Sequence, residues 1–270
     1  MSQLPLDPEI FDVAAEYPDF EGTYQEKLLA LLHDNLDFHG QSSTYLTHNL
    51  HAFPAKFPPQ LPRKFIRVLT EPGDIVCDPM SGSGTTLLEA YLAGQPCIAL
   101  DIDPLALLLA RVKTCPQPVS TLLDLGNEIV EQAQAFTRTE SEQALRQRFD
   151  DKTRNFIDYW FAPDIQYELM ALRCQIETIT DPLHRDFMWL VFSAMIITKS
   201  GGVSLARDLA HTRPHKVTDK KQRYPFAEFR KRLKKATNSL SQLSPRNSPV
   251  HIGESNAQQL PLAIPHILSP

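Results

Sequence analysis

The sequence predicts an α/β fold in which a parallel sheet is interrupted by a large helical insertion. Two short apolar runs, residues 75–77 and 97–100, have the length of buried parallel strands, and a helical pattern separates them. A third run of this kind, residues 250–252, follows only after a long helical stretch from residue 119 to residue 240. With 270 residues, of which 42% are hydrophobic, the chain can bury a substantial core around such a sheet.

The amino-terminal part predicts a lead-in followed by a proline-rich loop. Residues 1–22 are rich in Pro, Asp and Glu, which predicts a loosely attached segment, and residues 23–36 place leucines on one face of an amphipathic helix. We assign residues 1–45 to this helical lead-in. A DNA-contacting arm is the alternative, but the polar face of the helix is not basic. Prolines within residues 41–62 predict a loop, and a short helix is expected at 61–69.

A glycine-containing turn, Ser-Gly-Ser-Gly at residues 81–84, follows the first strand and precedes a helix at 85–93. Glycines let the backbone approach a ligand closely at a helix N-terminus, and an acid at the end of the next strand can bind ribose hydroxyls. Asp101 ends the second strand about twenty residues beyond the turn, the spacing that nucleotide-binding βαβ units use. Asp78, the turn and Asp101 therefore predict a ligand site, with a tight turn that binds nothing as the alternative. A nucleoside triphosphate is disfavoured because the turn lacks the lysine of a P-loop.

Three segments carry a resemblance to a known family: HNLHAFPAKFPPQLPRKFI at 48–66, DPMSGSGTTLLEA at 78–90 and LDIDPLA at 100–106. They resemble the cofactor-binding region of the amino-group DNA methyltransferases, the N4-cytosine and N6-adenine enzymes of restriction-modification systems. The resemblance implies a Rossmann-like AdoMet-dependent methyltransferase fold. It also implies S-adenosyl-L-methionine (AdoMet) as the cofactor and double-stranded DNA as the partner.

The resemblance assigns roles to residues of the region 46–118. The glycine turn corresponds to motif I and the acid after the second strand to motif II. The segment at 51–57 corresponds to motif X, which packs against the methionine end of AdoMet. Met80 stands where many relatives carry Phe, and Met can fill the same apolar space. The cofactor contacts that the resemblance implies are Phe53, Pro54, Lys56, Asp78, Met80, Gly82, Gly84, Thr85, Asp101 and Ile102.

Residues 119–240 predict the helical insertion. The hydrophobic periodicity indicates helices at about 122–136, 144–159, 165–180 and 185–198. Aromatic residues at helical spacing within these helices are expected to belong to a core rather than to a cofactor site.

The end of the insertion is strongly basic. Residues 206–235 contain eleven Lys or Arg and three Asp or Glu, a local balance of +8 in a chain whose net charge is −5. Basic clusters neutralise phosphates and supply most of the sequence-independent affinity for DNA. We therefore expect DNA contacts from this run, with a solvated helix face at 229–235 as the alternative. The expected contacts are Arg207, Arg213, His215, Lys216, Lys220, Lys221 and Arg223.

Residues 249–270 predict that the sheet resumes. The strand at 250–252 leads to Glu254, and by resemblance it corresponds to motif III, whose acid contacts the adenine of AdoMet; Asp is the usual residue there. A fourth strand is expected at the end of the chain, where Ser269-Pro270 resembles the start of motif IV. In that family the first residue of motif IV accepts the hydrogens of the target amine. The resemblance therefore implies Ser269 and Pro270 as the catalytic residues.

We accordingly expect a site-specific DNA methyltransferase that acts on an exocyclic base amine. The serine in the first place of motif IV favours cytosine N4 over adenine N6. Because only the first two residues of motif IV are present, we expect an incomplete sheet that a missing segment or a second chain completes. The alternatives are a non-catalytic AdoMet- and DNA-binding fragment or subunit of a split methyltransferase, and an RNA amino-methyltransferase.

Several classes of protein are disfavoured by pattern and composition. No apolar run reaches the length of a membrane span, and the amino terminus lacks the pattern of a signal peptide. The four cysteines, Cys77, Cys97, Cys115 and Cys174, show no CxxC spacing, so they predict neither zinc nor disulfides. All four are expected to be small core residues in a reducing cytoplasm, and Cys77 and Cys97 lie in predicted strands. We expect a cytoplasmic protein without a bound metal.

Overall fold

A computed structural model describes most of the chain, namely residues 22–54, 56–196, 202–207, 215–217 and 221–259. These residues fall into two compact units. Unit 1 contains the described residues of 22–48, 56–115 and 242–259, and unit 2 contains those of 49–54 and 116–241.

Ten α-helices and five strands form in the described residues. The helices are α1 (Tyr24–His33), α2 (Gln60–Leu69), α3 (Thr85–Ala93), α4 (Pro104–Lys113), α5 (Val119–Gln134), α6 (Arg138–Arg148), α7 (Asp151–Trp160), α8 (Pro163–Glu177), α9 (Pro182–Ile196) and α10 (Pro225–Leu240). The strands are β1 (Val76–Asp78), β2 (Cys97–Asp101), β3 (Ala206–Arg207), β4 (His215–Lys216) and β5 (Val250–Glu254). Two short 3₁₀ helices span Leu46–Asn49 and Ala257–Gln259.

Three strands of unit 1 form a parallel sheet in the order β1-β2-β5. Cys97 of β2 lies opposite Val76 on one side and opposite Val250 on the other, and Asp101 lies opposite Glu254. The predicted parallel sheet is therefore confirmed, including the pairing of β5, which follows β2 only after all the helices from α4 to α10. The fourth strand that the sequence predicts lies outside the described residues.

The core of unit 1 is formed by helices α2, α3 and α4 with the strands. Its buried cluster consists of Ile66, Leu87, Ala90, Cys97, Ala99 and Ala110. The prediction that both strand cysteines are core residues is right for Cys97 and wrong for Cys77, which is exposed. Successive side chains of a strand point to opposite faces of the sheet. Val76 and Asp78 of β1 are half-buried on one face, so Cys77 between them points to the other face and is exposed.

Local sequence determines where the two helices beside the sheet begin. α3 starts after Gly84 and ends at Gly94, and both glycines have positive φ, a conformation that strains any residue with a Cβ atom. α4 starts after Asp103, whose side chain accepts a hydrogen bond from the backbone N–H of Leu105 at 2.8 Å, and Pro104 takes the first helical position. Both helices therefore begin close to the carboxyl ends of the strands that precede them.

Unit 2 is built mainly from helices α5 to α10, and its core contains Leu122, Leu172, Phe187 and Phe229. The helix expected at 144–159 is two helices, α6 and α7. Asp150 explains the break, because its side chain accepts a hydrogen bond from the backbone N–H of Thr153 at 2.8 Å and so caps a new helix start. None of the described helices is long and apolar enough to cross a membrane.

Part of the basic run folds as α10, which is amphipathic. Phe229 and Leu233 are buried, whereas Lys231, Lys234 and Lys235 are exposed. α5 comes very close to α10 at Gly126, where a Cβ atom would lie 2.4 Å from Cδ2 of Leu233. The close approach explains why a glycine stands in the middle of α5.

Candidate functional site

The glycine turn connects β1 to α3 in unit 1. Gly82 and Gly84 have φ angles of 49° and 72°, in the left-handed region that glycine adopts without strain. The N–H of Gly84 donates to the carbonyl of Ser81 at 2.8 Å, and the N–H of Ser81 donates to the carbonyl of Leu100 at 3.0 Å. Thr85, the first residue of α3, is buried, and its hydroxyl lies 3.0 Å from that of Ser83. The turn is thus tied to the end of β2 and to the start of α3.

Asp101 holds this turn through its carboxylate. Oδ2 accepts a hydrogen bond from the N–H of Gly82 at 2.7 Å, and Oδ1 accepts one from the N–H of Asp103 at 2.9 Å. The structure thus brings Asp101 and the glycine turn together, as the sequence spacing predicts. A carboxylate has about four acceptor positions, so two contacts leave room for hydroxyl donors of a ligand.

Each strand of the sheet ends on an acidic residue. Asp78 ends β1, Asp101 ends β2 and Glu254 ends β5, and the three strands are parallel neighbours. Asp78 is half-buried and accepts a hydrogen bond from the N–H of Met80 at 3.2 Å, whereas Glu254 is exposed. In open α/β sheets, ligands bind outside the carboxyl ends of the strands. The three acids therefore lie at the edge where a ligand is expected.

Two large apolar side chains are exposed at the same strand ends. Met80 in the turn is 75% exposed, and Ile102, directly after Asp101, is 67% exposed. Apolar surface beside carboxylates suits a nucleoside, because a base packs on apolar groups while ribose hydroxyls donate to an acid. The hydroxyl of Ser81 is buried in the turn and has no hydrogen-bond partner among the described residues, so it can also accept or donate to a ligand.

The segment that resembles motif X is divided between the two units. Lys56 belongs to unit 1, is exposed and donates from Nζ to the carbonyl of His48 at 3.2 Å. Phe53 and Pro54 belong to unit 2, where the N–H of Phe53 donates to the carbonyl of His51 at 3.1 Å. A cofactor contact by Phe53 or Pro54 stays a prediction.

A buried polar cluster joins helix α3 to α2 and to the residues before α2. It was not predicted from the sequence. Glu89 is 2% exposed, and its carboxylate accepts hydrogen bonds from Nε of Arg63 at 2.9 Å and from the hydroxyl of Tyr45. Nε2 of His48 lies 2.7 Å from the same carboxylate. The sequence contained one indication of it, because Glu89 is the acidic residue of an otherwise apolar helical pattern, and a buried acid needs hydrogen-bond partners.

The protonation states in this cluster follow from burial and hydrogen bonding. Burial lowers the pKa of His48, which keeps the imidazole neutral. Burial alone would raise the pKa of Glu89, but the hydrogen bond from His48 and the charge and hydrogen bond of Arg63 outweigh it and hold the pKa below its usual value. An ionised carboxylate only accepts hydrogen bonds, so His48 carries its hydrogen on Nε2 and donates it to Glu89.

The basic surface of unit 2 is described in part. β3 and β4 form an antiparallel pair in which Arg207 lies opposite His215, and Nζ of Lys216 lies 4.8 Å from the ring centre of Tyr159. Lys221 is exposed, and Arg223 forms an ion pair with Glu228 at 3.3 Å. Arg213 and Lys220 lie outside the described residues, as do the expected catalytic residues Ser269 and Pro270.

The exposed lysines of α10 add to this basic surface. Lys231, Lys234 and Lys235 form no ion pair with any residue that the structure describes. The opposite face of their helix is buried. Exposed lysines are expected both of a phosphate-binding face and of a solvated helix face, so both interpretations stay predictions. No group of three or more His, Cys, Asp or Glu in the described ranges is placed to hold a metal ion.

The matching family model is that of a DNA methylase, and three relatives of this chain are Type II methyltransferases. Residues 23–111 match a family model described as DNA methylase, N6_N4_Mtase. The Type II methyltransferase M.MvaI of Kocuria varians is 30% identical over 174 residues, which are 60% of this chain and 37% of that protein. The Type II methyltransferase M.MjaII of Methanocaldococcus jannaschii is 28% identical over 122 residues, 45% of this chain and 23% of that protein.

A third relative matches a shorter region more closely. The Type II methyltransferase M.PvuII of Proteus hauseri is 47% identical over 53 residues, 20% of this chain and 16% of that protein. The chain thus spans 37% or less of the length of each of these relatives. No solved structure matches the chain.

Proposed function

We propose that this protein is a site-specific DNA methyltransferase of a restriction-modification system, because residues 23–111 match the N6/N4 DNA methylase family model. It transfers a methyl group from AdoMet to an exocyclic amine of a base in double-stranded DNA. The target that we propose is cytosine N4, because Ser269-Pro270 resembles the form of motif IV that begins with serine. We further propose that β1, β2 and β5 belong to a Rossmann-like methyltransferase fold.

The contact between Asp101 and the glycine turn carries this proposal. The carboxylate that accepts from the N–H of Gly82 at 2.7 Å lies at the end of the central strand of the described sheet. In nucleotide-binding βαβ units, an acid in this place binds the ribose hydroxyls. Asp101 therefore has two roles, to fix the turn and to bind the ribose of AdoMet.

The other residues at the strand ends fit the remaining parts of AdoMet. Ile102 and Met80 offer exposed apolar surface for the adenine, and the buried hydroxyl of Ser81 has a hydrogen-bonding position to spare. Asp78 and Glu254 add negative charge at the same edge, which suits a ligand with a positively charged sulfonium and an amino group. By resemblance, Lys56 belongs to motif X at the methionine end of AdoMet, where its exposed ammonium group would pair with the carboxylate of the cofactor.

AdoMet, when bound, supplies a methyl group on a sulfonium centre. The residues of the protein have to orient the acceptor, because the lone pair of an exocyclic amine is delocalised into the base ring and the amine is a poor nucleophile. By resemblance, the hydroxyl of Ser269 accepts a hydrogen bond from this amine and directs it towards the methyl group. Such positioning can account for a large part of the reduction in activation free energy, because the reacting atoms are held close together and in line.

DNA is held by the basic end of unit 2 in this proposal. Lys216, Lys221 and the exposed lysines of α10 provide positive charge in a chain with a net charge of −5. Phosphate contacts of this type carry affinity without reading sequence. They would bring the duplex to the protein, while a base is flipped out for the chemistry.

Methyl transfer to nucleic acid tests the proposal directly. The purified chain is incubated with AdoMet labelled in the methyl group and with mixed-sequence double-stranded DNA, and the DNA is then digested to nucleosides. We expect labelled N4-methylcytosine. Ser269→Ala should abolish transfer and leave AdoMet binding unchanged, since the hydroxyl is assigned to the amine and not to the cofactor.

Other results lead to different conclusions. Labelled N6-methyladenine would support the methyltransferase and contradict the cytosine assignment. Transfer to RNA in a parallel reaction, without transfer to DNA, would favour an RNA methyltransferase. AdoMet binding without any transfer would support a non-catalytic binding fragment or subunit and contradict the proposed activity of this chain.

A further inference from the structure

Lys113 is a buried lysine at the carboxyl end of α4, and no site has been assigned to it. Its side chain is 1% exposed, and it is one of the largest fully buried side chains of the described residues. Burial of an ammonium group away from water costs several kcal/mol unless good partners replace the lost hydration. A residue that carries such a cost needs an explanation from its contacts.

The contacts of Lys113 lead to the glycine turn. Nζ donates a hydrogen bond to the carbonyl of Ser83, the residue between the two turn glycines. The backbone carbonyl of Lys113 accepts a hydrogen bond from the hydroxyl of Thr47 at 2.9 Å, and Thr47 is itself buried. Lys113 therefore lies between the 3₁₀ helix that begins at Leu46 and the turn that is proposed to bind AdoMet.

The turn is held at three consecutive residues. Gly82 donates to Asp101, Ser83 accepts from Lys113, and Gly84 packs against α4, where a Cβ atom would lie 3.4 Å from Cα of Ala110. Two of these three restraints come from the same stretch of α4. The peptide between Ser83 and Gly84 is held at both of its polar groups. Its N–H donates to the carbonyl of Ser81 at 2.8 Å inside the turn, and its carbonyl accepts from Lys113, which is the restraint on this peptide from outside the turn.

We propose that Lys113 is a positioning residue, which holds the Ser83 peptide in the orientation that the turn needs to bind AdoMet. The role rests on the proposed function, since it concerns the same turn. It goes beyond the motifs, because Lys113 lies after LDIDPLA, the last segment that carries the resemblance, and is too deeply buried to touch a ligand. A hydrogen bond to a buried carbonyl is the only contact with the turn that the role requires.

Lys113→Met tests the role, because methionine has a similar length and no hydrogen-bond donor. Amide hydrogen exchange of residues 82–85 is measured in the cofactor-free protein, and AdoMet affinity is measured by calorimetry. We expect exchange in the turn to become at least tenfold faster and AdoMet to bind at least tenfold more weakly. The melting temperature should change little, because the variant no longer buries an ammonium group but leaves the Ser83 carbonyl without its donor, and these two effects oppose each other.

Lys64→Met is the matched control in the same unit. Lys64 is also largely buried, on α2, where its ammonium group pairs with Asp34. We expect this variant to lose stability without a change in turn exchange or in AdoMet affinity. If Lys113→Met does not fold, Thr47→Val removes the hydrogen bond to the carbonyl of Lys113 at nearly constant volume and should accelerate turn exchange in the same direction by a smaller factor.

The outcomes separate this inference from the proposed function. Unchanged turn exchange and unchanged AdoMet affinity in Lys113→Met would overturn the positioning role. A lower melting temperature with wild-type exchange in the turn would show a purely structural lysine and would also overturn it. Faster exchange in a protein that binds no AdoMet, wild type included, would support the restraint on the turn and contradict the cofactor that we propose.

Discussion

Three side chains of the described residues converge on the buried carboxylate of Glu89 in unit 1. Tyr45, His48 and Arg63 all hydrogen-bond to its carboxylate. Because removing one partner of a buried ion pair leaves the other charge without compensation, Glu89→Ala should reduce the free energy of unfolding by about 3–5 kcal/mol. Chemical denaturation measures this loss.

Glu71→Ala is the control for the Glu89 prediction. Glu71 pairs with Lys27 at 3.2 Å but is 74% exposed at its side chain, and exposed pairs contribute about 0–1 kcal/mol. A loss of less than 1 kcal/mol in Glu89→Ala, comparable to that in Glu71→Ala, would contradict the central role of the buried cluster.

The burial of Lys113 predicts that the free energy of unfolding depends on pH. Burial, with a smaller effect of the charge on Lys56, lowers its pKa to about 7 in the folded protein, against about 10.4 for an unperturbed lysine. Between these values the unfolded chain binds more protons than the folded one, so the free energy of unfolding rises with pH. The other titratable group close to Lys113 is His48, whose pKa is lowered and which is neutral in this window.

The comparison with Lys113→Met isolates this contribution. Denaturant midpoints of both proteins are measured at several pH values from about 7 to about 9.5, within the window between the two pKa values. The wild type should gain stability relative to the variant as the pH rises. A constant difference across this range would mean that the buried lysine keeps its ordinary pKa.

At this scale, sequence reasoning found the residues whose spacing is local. Asp101 and the glycine turn were predicted to contribute to one ligand site, which stays a prediction, and the two lie in contact because a βαβ unit fixes their relation. Glu89 and Lys113 were missed because their partners lie far along the chain, 41 residues away for His48 and 30 for Ser83. Single-sequence patterns contain no information on such pairings.

Helix packing in unit 2 depends on Gly126 of α5. Alanine there gains about 1 kcal/mol of helix propensity, but its Cβ atom would meet Cδ2 of Leu233 at 2.4 Å, and Leu233 is buried with little room to move. Overpacking of this kind costs about 1–3 kcal/mol, so Gly126→Ala should lower the free energy of unfolding. Ser120→Ala, at an exposed position of the same helix, should raise it by a few tenths of a kcal/mol. A stabilised Gly126→Ala would contradict the close approach of the two helices.

The exposed face of α10 gives a prediction for DNA binding. If Lys231, Lys234 and Lys235 contact phosphates, changing all three to Gln should reduce the slope of log K against log salt by up to about three units, since each contact contributes about 0.9. The measurement is fluorescence anisotropy with a short duplex over a range of salt concentrations.

The matched control removes the same charge elsewhere in unit 2. Arg138, Arg146 and Arg154 already form ion pairs with Asp164, Glu142 and Asp151, so their change to Gln should alter the slope little. An equal loss of slope in both triple variants would assign DNA affinity to net charge and not to α10.

Among the elements, the helices and strands were predicted best where caps and periodicity agree. α3 spans the residues 85–93 at which the apolar periodicity and the glycine turn predict a helix. The division of the helix at 144–159 was missed because the cap at Asp150 lies inside a continuous amphipathic pattern, and a cap that competes with periodicity is visible only in the folded chain.

On the scale of the whole molecule, the chain consists of a unit with a parallel sheet and a helical unit. The described residues between β2 and β5 form helices α4 to α10 and the short pair β3–β4. β5 joins the sheet, as predicted for residues 250–252, and its neighbour there is β2. The boundary was only partly predictable. Residues 49–54 group with unit 2 although they belong to the motif X segment, because contacts that are distant in sequence decide their place.

The strand ends of unit 1 are proposed to bind AdoMet through Asp101. Calorimetric titration of AdoMet into the wild type, Asp101→Asn and Asp74→Asn tests this proposal most directly. Asp74 is the control because it is an exposed acid of the same unit that accepts from the N–H of Glu71 at 2.8 Å, away from the strand ends. We expect the wild type and Asp74→Asn to bind equally and Asp101→Asn to bind at least tenfold more weakly. No binding by the wild type would contradict the proposed cofactor, and equal binding by Asp101→Asn would contradict the role of Asp101 in binding it.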